Sequence, residues 1–143
     1  MTLQAMTVEA PANYSGHKGV WVGRVLSGIT ICFFVLDGGM KLIQPQAVID
    51  STKQIGWPAD PIMLTVLGLV LLICAALYAV PRSAVLGAIL LTGYLGGAVS
   101  AHARAGDPLF THDLFGAYLG IMVWGGLWFR DARIRELIPL KGR

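Results

Sequence analysis

Asp37 and Lys41 stand four residues apart, and on a helix that spacing puts a carboxylate and an ammonium group on one face. Tyr94, Ala98 and His102 repeat the interval further along and bring a phenol and an imidazole onto a second stripe. Arg104 follows closely, then His112 and Asp113. Asp37 and His102 are the types of residue that pass a proton. Lys41 and Tyr94 are types that steady a developing oxyanion or donate to a carbonyl. The competing reading is plainer: Asp37 and Lys41 form a satisfied ion pair at a helix end, with Lys41 reaching toward the interface, and the histidines and Arg104 are interfacial residues. Two histidines and Asp113 invite a metal, but no HxxxH or HExxH spacing is present, and no metal site is expected.

The elements that must position these groups are four apolar runs, at 20–36, 62–80, 84–101 and 114–129. Each is about 17–19 residues long, near the lower limit for a helix crossing a bilayer. Arg24 is the one formal charge inside any of them, and it reads as an anchor for lipid phosphate. None has the polar face that a soluble helix of this size requires. The expected fold is an all-α integral membrane protein, a four-transmembrane-helix bundle of one domain. Residues 1–19 read as a disordered tail, 20–130 as the membrane domain and 131–143 as a basic interfacial tail. On this layout Asp37, Lys41, Tyr94, His102, Arg104, His112 and Asp113 all rise toward one end of the bundle, and the other end has no comparable polar cluster near its core.

Composition supports the membrane reading. Hydrophobic residues make up 55% and charged residues 13% of the 143-residue chain, against a soluble norm near 25% charged. The net charge of +3 does not point to nucleic acid, because the basic residues gather at helix ends and form no stripe. Lys18, Arg24, Arg82, Arg130, Arg133, Arg135, Lys141 and Arg143 flank one side; Lys41, Lys53 and Arg104 flank the other. The positive-inside rule then puts both termini in the cytoplasm and the protein, as a multi-pass protein, in the inner (cytoplasmic) membrane. The first 19 residues lack the apolar core of a cleavable signal. Cys32 and Cys74 form no CxxC and read as small core residues, which argues against a dithiol membrane oxidoreductase.

Between the first two runs, Val48, Ile49 and Ile55 alternate with Asp50, Lys53 and Gln54, a short amphipathic pattern suited to a helix in the interface. Trp57 beside Pro58 reads as an interfacial anchor, and Pro61 opens the next helix. Pro81-Arg82 is a tight turn. Thr111 is placed to cap the fourth helix. Gly93-Tyr94-Leu95-Gly96-Gly97 and Gly116-Ala117-Tyr118-Leu119-Gly120 both satisfy GxxxG, and Gly93, Gly97, Ala101 and Ala105 make a small-residue ridge expected to pack closely on another helix. In the C-terminal tail Ile134, Leu137, Ile138 and Leu140 suit the membrane interface.

Trp21-x-Gly23-Arg24-x-Leu26 and Asp37-Gly38-Gly39-x-Lys41-Leu42 resemble the first helix of the DoxX-like family. So do Gly56-Trp57-Pro58, Tyr94-Leu95-Gly96-Gly97-Ala98 with His102 and Arg104, and the ending Trp124-Gly125-Gly126-Leu127-Trp128-Phe129-Arg130-Asp131. The resemblance runs over about residues 20–140 and rests on the order and spacing of these motifs. It implies a small four-helix inner-membrane protein linked to thiosulfate:quinone oxidoreduction or to oxidative and thiol stress, with a shared polar pocket. It does not carry over a catalytic motif of known role.

Two functions are expected in competition. One is an accessory subunit that binds a quinone or other lipophilic small molecule beside an oxidoreductase partner, surrounded by membrane lipids, with homo-oligomerisation open. The other is a metal-independent membrane enzyme of isomerase or epoxide-opening type, in which Asp37 and His102 move the proton and Lys41 or Tyr94 holds the oxyanion. Four short helices with so little polar lining make a poor pore, which leaves transport in third place.

Overall fold

The structure, a computed structural model, describes residues 17–106 and 114–137. Its helices are α1 (His17–Ile43), α2 (Gln46–Gln54), α3 (Pro61–Ala79), α4 (Ala84–Ala105), α5 (Phe115–Arg130) and α6 (Ala132–Leu137). Three of them, α1, α3 and α4, are long and apolar enough to cross a membrane. The fourth long helix, α5, has 16 residues, which gives it a length of about 24 Å. Their outer faces carry large apolar side chains: Leu36, Ile62 and Ile121 are each about two-thirds exposed or more (67%, 73% and 69%). Such faces are stable only against lipid or another apolar surface.

Local chemistry sets the helix ends. Gln44 adopts a left-handed φ of 55° and Pro45 follows it, which stops α1. Gly56, at φ 73°, closes α2 in the conformation that glycine adopts most readily, with its N–H donating to the Lys53 carbonyl. Asp60 caps α3 by accepting from the Met63 N–H, and Pro61 occupies the first position, where its missing N–H costs nothing. The α3–α4 turn is held by the Ser83 hydroxyl, which donates to the Leu77 carbonyl at 2.9 Å. The expected Thr111 cap lies outside the described residues, as do Ile138 and Leu140.

The long helices form a ring. α1 packs on α3 and α5, and α4 packs on the same two, so α1 and α4 stand on a diagonal. A glycine makes close approach possible at every seam. A Cβ on Gly68 would lie 2.8 Å from the Gly38 carbonyl oxygen (α3 on α1), and one on Gly23 would lie 2.8 Å from the Gly126 oxygen (α1 on α5). At Gly87 it would run into the Tyr78 backbone (α4 on α3), and at Gly116 it would meet Val99 Cγ2 at 2.7 Å (α5 on α4). Without a hydrophobic drive between helices in lipid, this approach and the dispersion contacts it allows are what hold the seams.

The expected ridge is not among these seams. A Cβ at Gly93 or Gly97 would meet nothing within 4 Å, and Ala105 is exposed; Ala101 alone is buried. The helices are apolar all round, so hydropathy gives no inward direction, and the ridge faces space instead of a neighbour. Ile134 is a second correction. It does not lie on the interface: α6 folds back onto α5, and Ile134 is buried in the core with Tyr78, Val123 and Leu127. Cys74 is a core residue as expected, but Cys32 is exposed on α1.

The end that carries the N-terminus of α1 and the C-terminus of α5 holds a polar network that the sequence reading had excluded. Tyr78 is fully buried and its hydroxyl donates to the Val123 carbonyl at 2.8 Å. With that proton committed, the Ser27 hydroxyl, 3.0 Å away, is the donor to Tyr78. The Arg130 guanidinium donates to the Tyr78 carbonyl at 3.0 Å and lies 4.8 Å from the centre of the Tyr78 ring. One tyrosine thus ties α1, α3 and α5 together, and Gly126 leaves room for it.

Candidate functional site

The opposite end holds a cavity of about 520 Å³, within the usual range of small-molecule sites. Asp37 and Lys41 reach it from the last turns of α1, and Tyr94 and His102 from α4. All four sequence-derived candidates therefore line one space, although their helices stand on the diagonal of the ring. The diagonal is what makes the space: α1 and α4 are not packed neighbours in the ring, and Gly93 and Gly97 on the wall of α4 put no side chain into the gap.

Lys41 donates to both carboxylate oxygens of Asp37, each at 2.6 Å. The pair is partly buried, with 19% of the Lys41 and 37% of the Asp37 side chain exposed. The Lys41 ammonium keeps one further proton to give. The Tyr94 hydroxyl has no hydrogen-bond partner among the described residues and is not sealed in, so it stays available to whatever occupies the cavity. The remaining wall is mostly apolar. Phe33 packs edge-on against Phe34 (centroids 6.0 Å) and against Phe115 of α5 (5.4 Å), and Leu64 and Leu119 complete that side.

Over this space lies α2. Val48, Ser51, Thr52 and Ile55 line the cavity, yet α2 itself has no buried residue. Ser51 and Thr52 both donate to the Val48 carbonyl, at 3.0 and 2.7 Å. Gln44 fastens the start of the strap by donating to the Pro61 carbonyl at 2.8 Å and to the Thr65 hydroxyl at 3.0 Å. The amphipathic signal at 46–56 located this helix; that it covers a cavity was not legible from it. Trp57 belongs to the same wall, so it is more than an interfacial anchor. Its indole N–H is buried with no acceptor among the described residues. Arg104 is exposed and off the cavity wall. His112 and Asp113 lie outside the described residues.

The arrangement can hold a molecule with a polar, oxygen-bearing head and an apolar body. As a proton relay it is less complete: Asp37, the carboxylate in the cavity, has both oxygens engaged by Lys41. No curated protein and no solved structure matches the chain. Residues 25–126, which include all four cavity candidates and every glycine seam except Gly23, match the sequence profile of the DoxX-like family. That match covers most of the chain, and with three membrane-crossing helices it identifies a multi-pass membrane protein that belongs to the DoxX-like family.

Proposed function

We propose that this protein binds the polar head of a lipophilic molecule in the cavity under α2, with a quinone as the best-fitting head, and that it serves an oxidoreductase as an accessory membrane subunit. The observation that carries the reading is the make-up of one cavity: an ion pair and an unengaged phenol set into walls of Phe33, Leu64, Phe115 and Leu119. Apolar walls suit a ring and isoprenoid body, and the donors suit carbonyl oxygens. In this reading α5 completes a fourth span, both termini are cytoplasmic, and the cavity lies in the outer half of the inner membrane. Asp37 and Lys41 hold the donor geometry, Tyr94 donates to the head, and His102 lines its path.

A catalytic reading keeps one observation in its favour, since Asp37 and His102 share the cavity. It requires Lys41 to release one Asp37 oxygen when substrate arrives. The test of both is a native-lipid nanodisc preparation examined by mass spectrometry. Extractable quinone at close to one per chain and a co-purifying oxidoreductase are the expected results. Phospholipid alone, with no binding of added decylubiquinone, overturns the proposal. Turnover of a lipophilic epoxide or enone by the isolated protein favours the enzyme.

A further inference from the structure

The Trp57 N–H is the odd group among the described residues. Every other buried side-chain nitrogen or oxygen among the described residues has a hydrogen-bond partner. The Ser27–Tyr78 network shows that this chain does satisfy buried donors where only packing is at stake. A buried donor left alone carries its full desolvation cost, so its persistence on a cavity wall calls for an acceptor beyond the described residues.

We infer that Trp57 is a ligand-binding donor, and that with Tyr94 it receives two oxygens of one neutral head. This rests on the binding reading above and adds the residue that holds the second oxygen. Donors stand ready beside the cavity. Tyr94 has a hydroxyl without a partner, Trp57 has only an N–H to offer, and Lys41 has a third proton. A dicarbonyl head finds a donor for each of its oxygens.

The indole N–H is sealed from water as well as from protein acceptors. Reaching it requires the strap to yield. That is the part of the chain built to do so: α2 buries no residue, and left-handed residues Gln44 and Gly56 stand at its two ends. Trp57 follows the second of them directly. The head therefore slides in beneath α2, and the ring turns its N–H to the incoming oxygen.

The experiment measures binding of decylubiquinone to the full chain in nanodiscs, in wild type and in Trp57→Phe, together with the melting temperature of each without added probe. Trp57→Phe is expected to lose about tenfold in quinone affinity. The same variant should melt higher than wild type without probe, because it removes an unsatisfied donor. If Trp57→Phe does not fold, the benzothienyl analogue placed at position 57 by codon suppression keeps the ring and deletes only the N–H. Unchanged quinone affinity in the variant, or a fall in affinity together with a fall in melting temperature, overturns the inference alone. Failure of wild type to bind the probe overturns it together with the reading beneath it.

Discussion

The two ends of the helical ring use similar residues to opposite effect. At one end Ser27, Tyr78 and Arg130 sit among close-packed glycines, both buried hydroxyls have acceptors on the chain, and Arg130 donates to the Tyr78 carbonyl. At the other end Tyr94, Lys41 and Trp57 surround open space, and donors are left over. A tyrosine in a membrane helix is thus no sign of function by itself. What separates the two is whether the helix opposite supplies a carbonyl, as α5 does for Tyr78, or leaves a gap, as α1 does for Tyr94. In lipid an unmet donor is costly, so a chain that closes one end completely and leaves the other unmet has a use for the second.

Glycine substitutions should break this contrast most sharply. Gly126→Leu drives a side chain into Ser27 and Tyr78, since even a Cβ would lie 2.5 Å from the Ser27 hydroxyl oxygen. The expected loss is about 3 kcal/mol or more, read as failure to fold or a large fall in melting temperature in detergent. Gly97→Leu should do the reverse. It meets nothing within 4 Å and grows into the cavity, so the fold should survive with near wild-type stability while decylubiquinone binding disappears. Comparable destabilisation by both would erase the distinction between a packed end and an open one.

A smaller effect is expected from Tyr78→Phe, which leaves the Val123 carbonyl and the Ser27 hydroxyl without their partner. The cost should be about 1–2 kcal/mol in a reversible unfolding measurement, with probe binding unchanged. Loss of binding in that variant would show that the ends are coupled.

The smallest change in stability should come from replacing Asp37 with Asn and Lys41 with Met together. A partly exposed pair of this kind contributes about 1 kcal/mol or less. Asp37→Asn alone should be worse than the double change, because it strands the Lys41 ammonium at membrane depth. Probe affinity should fall in the double variant through loss of the Lys41 donor. A folded double variant with full affinity would leave the pair a purely structural feature.

Much of the frame was legible in the sequence because its signals are local. Length and apolarity marked the long helices, Pro61 and Gln44-Pro45 set boundaries, and the four-residue spacing of Asp37 and Lys41 placed them on one face. Tyr94 and His102 were placed at the same level by counting turns. Long-range pairing was not legible. Ser27 and Tyr78 are 51 residues apart and each is unremarkable in its own helix. The glycines failed for a related reason: a uniformly apolar helix gives no moment to say which side faces in, so Gly93 and Gly97 looked like contact residues when Gly38, Gly68 and Gly87 are. Trp57 next to Pro58 matched the interfacial pattern, and only the fold of α2 across the cavity reveals its other role.

The strap has a consequence for how such a molecule can diversify. Because α2 has no fully buried residue and none of the glycine seams runs through it, the ring packs without it, while four of the positions from 48 to 55 face the cavity. Substitutions there alter the shape and polarity of the roof without touching a seam between spanning helices. One membrane scaffold can therefore be refitted for a different head group by changes in a nine-residue segment, and its folding and its ligand preference are free to evolve almost independently.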